Sequence, residues 1–229
     1  MPCQRDITWL NDTRLKAYYQ MADNAASTVV VDALGVNNGV ASHNTNTTGF
    51  SVPSMFGENS ALSFNGTDRS IAIPSHANLD LTNNFSLLFW FRPLALNPGN
   101  RYILLKGDLY YSVLFSWGAH VNMVEFFSGP LKYTGDNPGT GTTMLVDGMR
   151  WQHIGFTYDG TNWRGFLNGT RMFNLTKTFT LYTGVTSLYV ATSLATWTAC
   201  QLSDLRIYNA GIADNQVTAS YMAGCWRQS

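Results

Sequence analysis

Residues 151–169 read WQHIGFTYDGTNWRGFLNG, and the reading of this stretch decides the fold. Asp159-Gly160-Thr161-Asn162 is a turn cluster between two apolar runs, so 151–158 and 163–168 are predicted to pair as an antiparallel hairpin. On the first strand Ile154, Phe156 and Tyr158 share one face, and Trp151, His153 and Thr157 share the other. On the second, Trp163, Gly165 and Leu167 alternate with Arg164 and Phe166. Asn168-Gly169 is a strong two-residue turn signal that opens a further hairpin toward Met172 and Phe173. In such a meander at least half of the rings must point into a core, which argues against a surface platform of aromatics. Ile154, Phe156 and Leu167 are assigned to the core and the 159–162 turn to solvent. Trp163, beside the turn, fits either a core or a ligand-stacking position.

The same alternation recurs along the chain, with turn clusters every 8–12 residues or so, the pattern of a β-sandwich or barrel. Strands are predicted at 61–64, 70–73, 85–92, 102–105, 110–116, 121–127, 187–192 and 202–208, beside those of the hairpin. The polar segment 36–49, VNNGVASHNTNTTG, reads as an exposed loop. One segment has helical character, IADNQVTASYMAG at 212–224: Asp214 can cap it, Val217 and Tyr221 fall one turn apart, and Gly224 can end it. No linker or repeat divides the 229 residues, and β-sandwiches of this length are commonly single domains.

Composition narrows the function classes. Fourteen basic and fourteen acidic residues cancel, and Lys and Arg are scattered, so neither nucleic acid nor an anionic membrane surface is an expected partner. Only 12% of residues are charged, against about 25% in a typical soluble domain, so much of the surface must be uncharged and polar. The first ten residues, MPCQRDITWL, lack the apolar core of a secretory signal, and no stretch has the length of a membrane span. The expected location is therefore a virion or extracellular surface reached without a signal, or otherwise the cytoplasm. Six N-x-S/T triplets are attributed to the abundance of Asn and Thr. Of the three cysteines, Cys3 and Cys225 lie near opposite termini and can pair; the alternative is that all three remain reduced thiols.

Several motifs in order resemble the laminin G-like, concanavalin A-like jelly-roll family, of the variety common in bacterial surface and phage proteins. They are an aromatic-rich opening, LKAYYQMADN; LSFNGTDRSIAIP at 62–74, where the family has F-D-G; LDLTNNFSLLFWFRP at 79–93; WQHIGFTYDG followed by FLNG; and LSDLRIYN at 202–209. The resemblance spans about 15–224, with an N-terminal extension at 1–14 and a tail at 225–229. It implies an all-β, two-sheet antiparallel jelly-roll sandwich of about a dozen strands with one short C-terminal helix.

Lectins, adhesion domains, glycosidases and structural modules share this fold, so function must come from residues. Glycoside hydrolysis normally needs two flanking carboxyl groups. The hydrolases of the family carry them on one strand, whereas Glu58 and Glu125 are the only glutamates here and lie far apart. No nucleophile elbow or H-E-x-x-H pattern is present, and the expectation is a non-enzyme. Many family members hold Ca²⁺, and the matching positions are Asn65, Asp68, Ser203 and Asp204; the alternative there is a turn held by Asx-type hydrogen bonds. Trp117, Tyr133 and Trp197 lie in or beside turns and, with Trp163, are the candidate sugar-stacking rings. Trp9 and Trp226, at the edges of the match, suit an interface with another protein or another copy, or else fold back on the sandwich. Two readings follow: a non-catalytic glycan-binding or adhesion module displayed on the exterior of a particle or cell, and a structural virion protein such as a capsid decoration or fibre component.

Overall fold

Alternating apolar residues resolve into two facing sheets in the computed structural model, which describes residues 8–81, 83–95, 101–107, 111–116, 123–128, 131–132, 149–176, 178, 184–193 and 195–225. The first sheet contains β1 (Leu15–Tyr19), β4 (Ser51–Ser54), β5 (Gly57–Asn65), β7 (Phe85–Pro93), β12 (Gln152–Tyr158), β13 (Asn162–Leu167), β14 (Thr170–Thr176) and β16 (Ala199–Tyr208). Its order is β14-β13-β12-β7-β16-β5-β4, and β1 also pairs with β16. The second contains β2 (Val29–Val30), β3 (Gly39–Ala41), β6 (Ile71–Ile73), β8 (Arg101–Lys106), β9 (Tyr111–Ser116), β10 (Met123–Ser128), β11 (Leu131–Lys132) and β15 (Leu188–Val190), ordered β11-β10-β9-β8-β15-β6-β3-β2. One helix, α1 (Asp214–Cys225), follows β16. No described helix is long and apolar enough to cross a membrane. The predicted antiparallel sandwich with a short C-terminal helix is what the chain forms.

The 151–169 stretch behaves as its alternation requires. Ile154 pairs with Leu167, Phe156 with Gly165 and Tyr158 with Trp163; Ile154, Phe156, Tyr158 and Trp163 enter the main core between the sheets, and Leu167 packs half-buried against it. Asp159, Gly160 and Thr161 are exposed at the tip. Asn168 and Gly169 have φ of +50° and +73°, the two positive values that a type I′ turn needs and that Asn-Gly supplies at low cost. What alternation did not forecast is that all seven residues of β12 are buried. The reason is α1, which lies on the outer face of the first sheet and packs Val217 with Leu88, Phe166 and Tyr208 in a second apolar cluster.

Sequence geometry fixes α1 in place. Asp214, in its first turn, accepts from Arg164 at 3.0 Å and from Arg171 at 2.6 Å, tying the helix to β13 and β14. Thr218 donates to the Gly169 carbonyl at 2.8 Å. Gly224 was expected to end the helix but lies inside it; a Cβ there would stand 2.5 Å from Cζ2 of Trp90, so the absence of a side chain permits close approach rather than a terminus.

Strand β16 carries an irregularity with consequences. Cys200 and Leu202 face the main core, and so do Leu205 and Ile207, so the inward parity changes from even to odd. The change falls at Ser203–Asp204, where the register with β7 shifts and Asp204 has φ of +59°. An extra residue in one strand is what reverses a period-two pattern.

The bulge places a charge cluster under α1. Asp204 and Arg206 are both 1% exposed; Arg206 Nη2 donates to Asp204 Oδ2 at 2.6 Å and Nη1 to Ser220 Oγ at 3.2 Å. The Tyr18 hydroxyl donates to Asp204 Oδ1. The guanidinium sits 5.3 Å from the Trp9 ring centroid and 5.1 Å from that of Tyr18, a cation–π sandwich. Trp9 therefore folds back on the sandwich through the 3-10 turn Thr8–Asn11, the second of its two readings, and stays partly exposed there.

His153 borders this cluster, with Nε2 at 3.2 Å from Ser220 Oγ. Burial, and secondarily the charge of Arg206, lower its pKa to about 3, with Asp204 acting in the opposite direction. The unfolded chain binds a proton at this residue below a pH of about 6.5 while the folded chain does not, so its contribution is complete above that pH and is lost as pH falls toward 3. Between pH 7 and 5, a window above the carboxylate range, urea unfolding is expected to show stability falling with acidity on the order of 1 kcal/mol per pH unit below 6.5. His153→Gln should flatten that slope; an unchanged slope would show that His153 titrates freely when folded.

Candidate ligand-binding site

Trp90 is the largest ring that β7 turns away from the core. Phe85, Leu87, Phe89 and Phe91 point inward, so Ser86, Leu88 and Trp90 point toward α1. There the indole stacks on Tyr221 at 5.7 Å and 27°, and meets His153 and Phe56 edge-on at 5.3 and 6.3 Å. Beside it opens a hollow of about 380 Å³, lined by Ser54 and Met55 from the β4–β5 turn, Trp90, Trp151, Asn168, Tyr221 and Gly224. Its volume is at the low end of the ~300–1,000 Å³ range of small-molecule sites.

The polar groups of the hollow are few and fixed. Asn168 Oδ1 accepts the His153 backbone N–H at 2.9 Å, and the Asn168 N–H donates to the His153 carbonyl at 2.8 Å, which sets the orientation of the amide. Trp90 is 2% exposed, and its Nε1 has no hydrogen-bond partner among the described residues. Among the described residues, no carboxylate, imidazole or thiol lines the hollow. Aromatic faces with a few directed polar groups suit non-covalent capture of an amphipathic ring.

The sequence-based candidates are distributed differently. Trp163 is fully buried, stacked on Phe156 at 5.4 Å and 4° and packed on Phe126 at 5.1 Å, so it is a core ring and not a ligand platform. Its pairing with Tyr158 keeps it in phase with Gly165 and Leu167, which turns it inward despite its place beside the turn. Trp197 is half-buried in a bridge with Thr192, and does not line the hollow. Trp117, Tyr133, Trp226 and Cys3 lie outside the described residues, as does the side chain of Cys225.

The proposed calcium set does not converge. Asn65 pairs with Ala199 and Ser203 with Trp90, which puts them four residues apart along β16, roughly 13 Å. Asn65 Oδ1 accepts the N–H groups of Thr67 and Asp68, and its Nδ2 donates to Asp68 Oδ1 at 2.7 Å, so this loop is an Asx-type turn. Ser203 Oγ donates to the Ser60 carbonyl, and Asp204 is committed to Arg206 and Tyr18. Among the described residues no three His, Cys, Asp or Glu side chains are grouped as metal ligands.

Sequence reading missed Trp90, Trp151, Asn168 and Tyr221 as a group. Their signal was the pairing of an outward Trp on a strand apolar on both faces with a helix whose Val217 and Tyr221 share a face.

The family described as the concanavalin A-like lectin/glucanases superfamily matches residues 65–218. The chain belongs to that superfamily. No curated protein matches it. Among solved structures, this concanavalin A-like chain is similar to domain 4 of AbnA, a GH43 extracellular arabinanase from Geobacillus stearothermophilus, in complex with arabinotriose. The TM-score is 0.67 at 20% identity, with 91% of this chain and 98% of that one covered. It is also similar to a botulinum neurotoxin type C structure, with a TM-score of 0.69 at 13% identity, covering 96% of this chain and 53% of that chain. A third is Trypanosoma rangeli sialidase, with a TM-score of 0.62 at 13% identity, covering 92% of this chain and 33% of the other. The superfamily member described here thus spans about half of the toxin chain and a third of the sialidase chain.

Proposed function

We propose that this chain is a non-catalytic glycan-binding module acting on the exterior of a particle or cell. The observation that carries the reading is the hollow beside α1, where Trp90, Trp151 and Tyr221 meet the amide of Asn168. Sugars bind by such a combination, since a ring's C–H face covers an aromatic while its hydroxyls need directed partners. The similar structures support it: the arabinanase domain is held with arabinotriose, and cell entry of neurotoxin type C depends on interaction with two ganglioside molecules. Hydrolysis finds no support, because Glu58 lies on β5 of the first sheet and Glu125 on β10 of the second, away from the two-carboxyl arrangement that chemistry needs.

The test is a glycan array followed by isothermal titration of the hits. Saturable binding is expected, weakened about tenfold or more by Trp151→Ala, which removes a half-buried ring from the rim, with the urea midpoint little changed. A folded protein that binds nothing across a broad array would sink the reading and favour a purely structural exterior role.

A further inference from the structure

A buried imidazole joins α1 to the first sheet. His153 is fully buried on β12, where it meets Ser220 and Tyr221 of α1, Trp90 of β7, and the field of the Asp204–Arg206 pair on β16. Ser220 Oγ lies 3.2 Å from Arg206 Nη1 and 3.2 Å from His153 Nε2. His153 Nδ1 has no hydrogen-bond partner among the described residues. An imidazolium carries N–H at both ring nitrogens. Its Nε2–H would share one hydroxyl oxygen with a guanidinium, and its Nδ1–H would have no acceptor. Asp204 offers no relief, because its two oxygens already serve Arg206 and Tyr18. With α1 docked, the geometry therefore excludes the charged ring.

The helix itself is lightly held. Among its described side chains, Val217 is the one buried apolar group. Asp214, its one charged residue, reaches Arg164 and Arg171 at a rim where its own side chain is 37% exposed, and ion pairs in such places hold weakly. A helix of twelve residues is marginal on its own in water. Segments with few buried apolar contacts open locally, more easily than the whole fold unfolds. Strand β7, by contrast, is buried along nearly its full length.

We propose that α1 is an acid-released latch, lifting from the first sheet as a local unit when His153 takes up a proton and so taking apart the hollow that Tyr221 and Gly224 help to wall. The other charged or titratable groups around the helix are Asp159, Arg164, Arg171 and Asp214 at its rim, and Tyr18, Asp204, Arg206 and Tyr208 beneath it. Carboxyl groups ordinarily titrate below pH 5, and phenols and guanidinium well above 7.5, which leaves imidazole as the class that changes charge between those values. Acid release of a glycan held in the hollow follows, and that consequence alone rests on the glycan-binding reading.

The experiment is amide hydrogen exchange on the full chain at pH 7.5 and pH 5, corrected for intrinsic rates. It needs no sugar, so its failure is distinct from failure of the glycan-binding reading. Amides of α1 are expected to exchange about tenfold or more faster than those of β7, with little response to dilute urea, the mark of a small local opening. Burial holds His153 at a pKa of about 3 against an ordinary 6.5, so proton uptake favours the open helix as pH falls, and the α1 opening constant should rise about thirtyfold between pH 7.5 and pH 5. His153→Gln cannot take up the proton and should cut that rise to below about threefold. Asp214→Asn weakens the rim attachment and should speed α1 exchange at both pH values while leaving their ratio intact. Exchange of α1 in step with β7, an opening constant unmoved by pH, or a rise that persists in His153→Gln would each overturn the latch. If that variant does not fold, the first two outcomes on the parent chain decide.

Discussion

Asp204→Asn is expected to destabilise the fold by about 3–5 kcal/mol, read as a lowered urea midpoint with an unchanged slope. Asparagine tolerates the positive φ at this position, so the substitution isolates the charge from the backbone. It leaves the Arg206 guanidinium 1% exposed with no carboxylate, and the Tyr18 hydroxyl loses its charged acceptor. Desolvation makes an uncompensated buried charge expensive, whereas removing both charges together is far milder. The double variant Asp204→Asn, Arg206→Met should therefore recover most of the loss. A single variant within about 1 kcal/mol of the parent would mean that water reaches the pair.

Trp163→Ala should cost a further about 3–5 kcal/mol by opening a void between the sheets, since large aromatic truncations in packed cores fall in that range. The ring touches Phe156 beside it and Phe126 of the facing sheet, so neither side can easily collapse into the space. Because Trp163 lies in the core and not at the hollow, the fraction that remains folded should bind sugar with parental affinity. Lost affinity with retained stability would return this tryptophan to the surface role its position beside the turn first suggested.

Much of the architecture was readable from alternation and turn chemistry. The Asp-Gly-Thr-Asn tip, the Asn-Gly turn and the inward set Ile154, Phe156 and Leu167 all follow from a period of two and from which residues accept positive φ. Alternation states which side chains share a face; it does not state what covers the second face. For that reason the outward row of β7 and β12, with Trp90 and His153, carried no visible meaning until α1 was seen lying on it. Asp204 was misread for a related cause. Its i+2 neighbour on the strand is Arg206, a pairing available in the sequence, but family habit suggested calcium instead. The glycine at 224 looked like a helix stop because its neighbour across space, Trp90, is more than a hundred residues away.

The parity change at Ser203–Asp204 also governs how this chain can be compared or edited. Residues before and after the bulge obey opposite frames, so β16 behaves as two half-strands spliced out of phase. Deleting the extra residue at 203–204 would restore unbroken alternation and keep Leu205 and Ile207 inward, whereas a deletion a few positions away would leave the bulge in place and turn the residues between it and the bulge to the wrong face. An alignment that places a gap a few positions away would make the same error on paper. For grafting or recombining strands between relatives, the safe crossover points lie outside 199–208, with the whole strand moved as one piece.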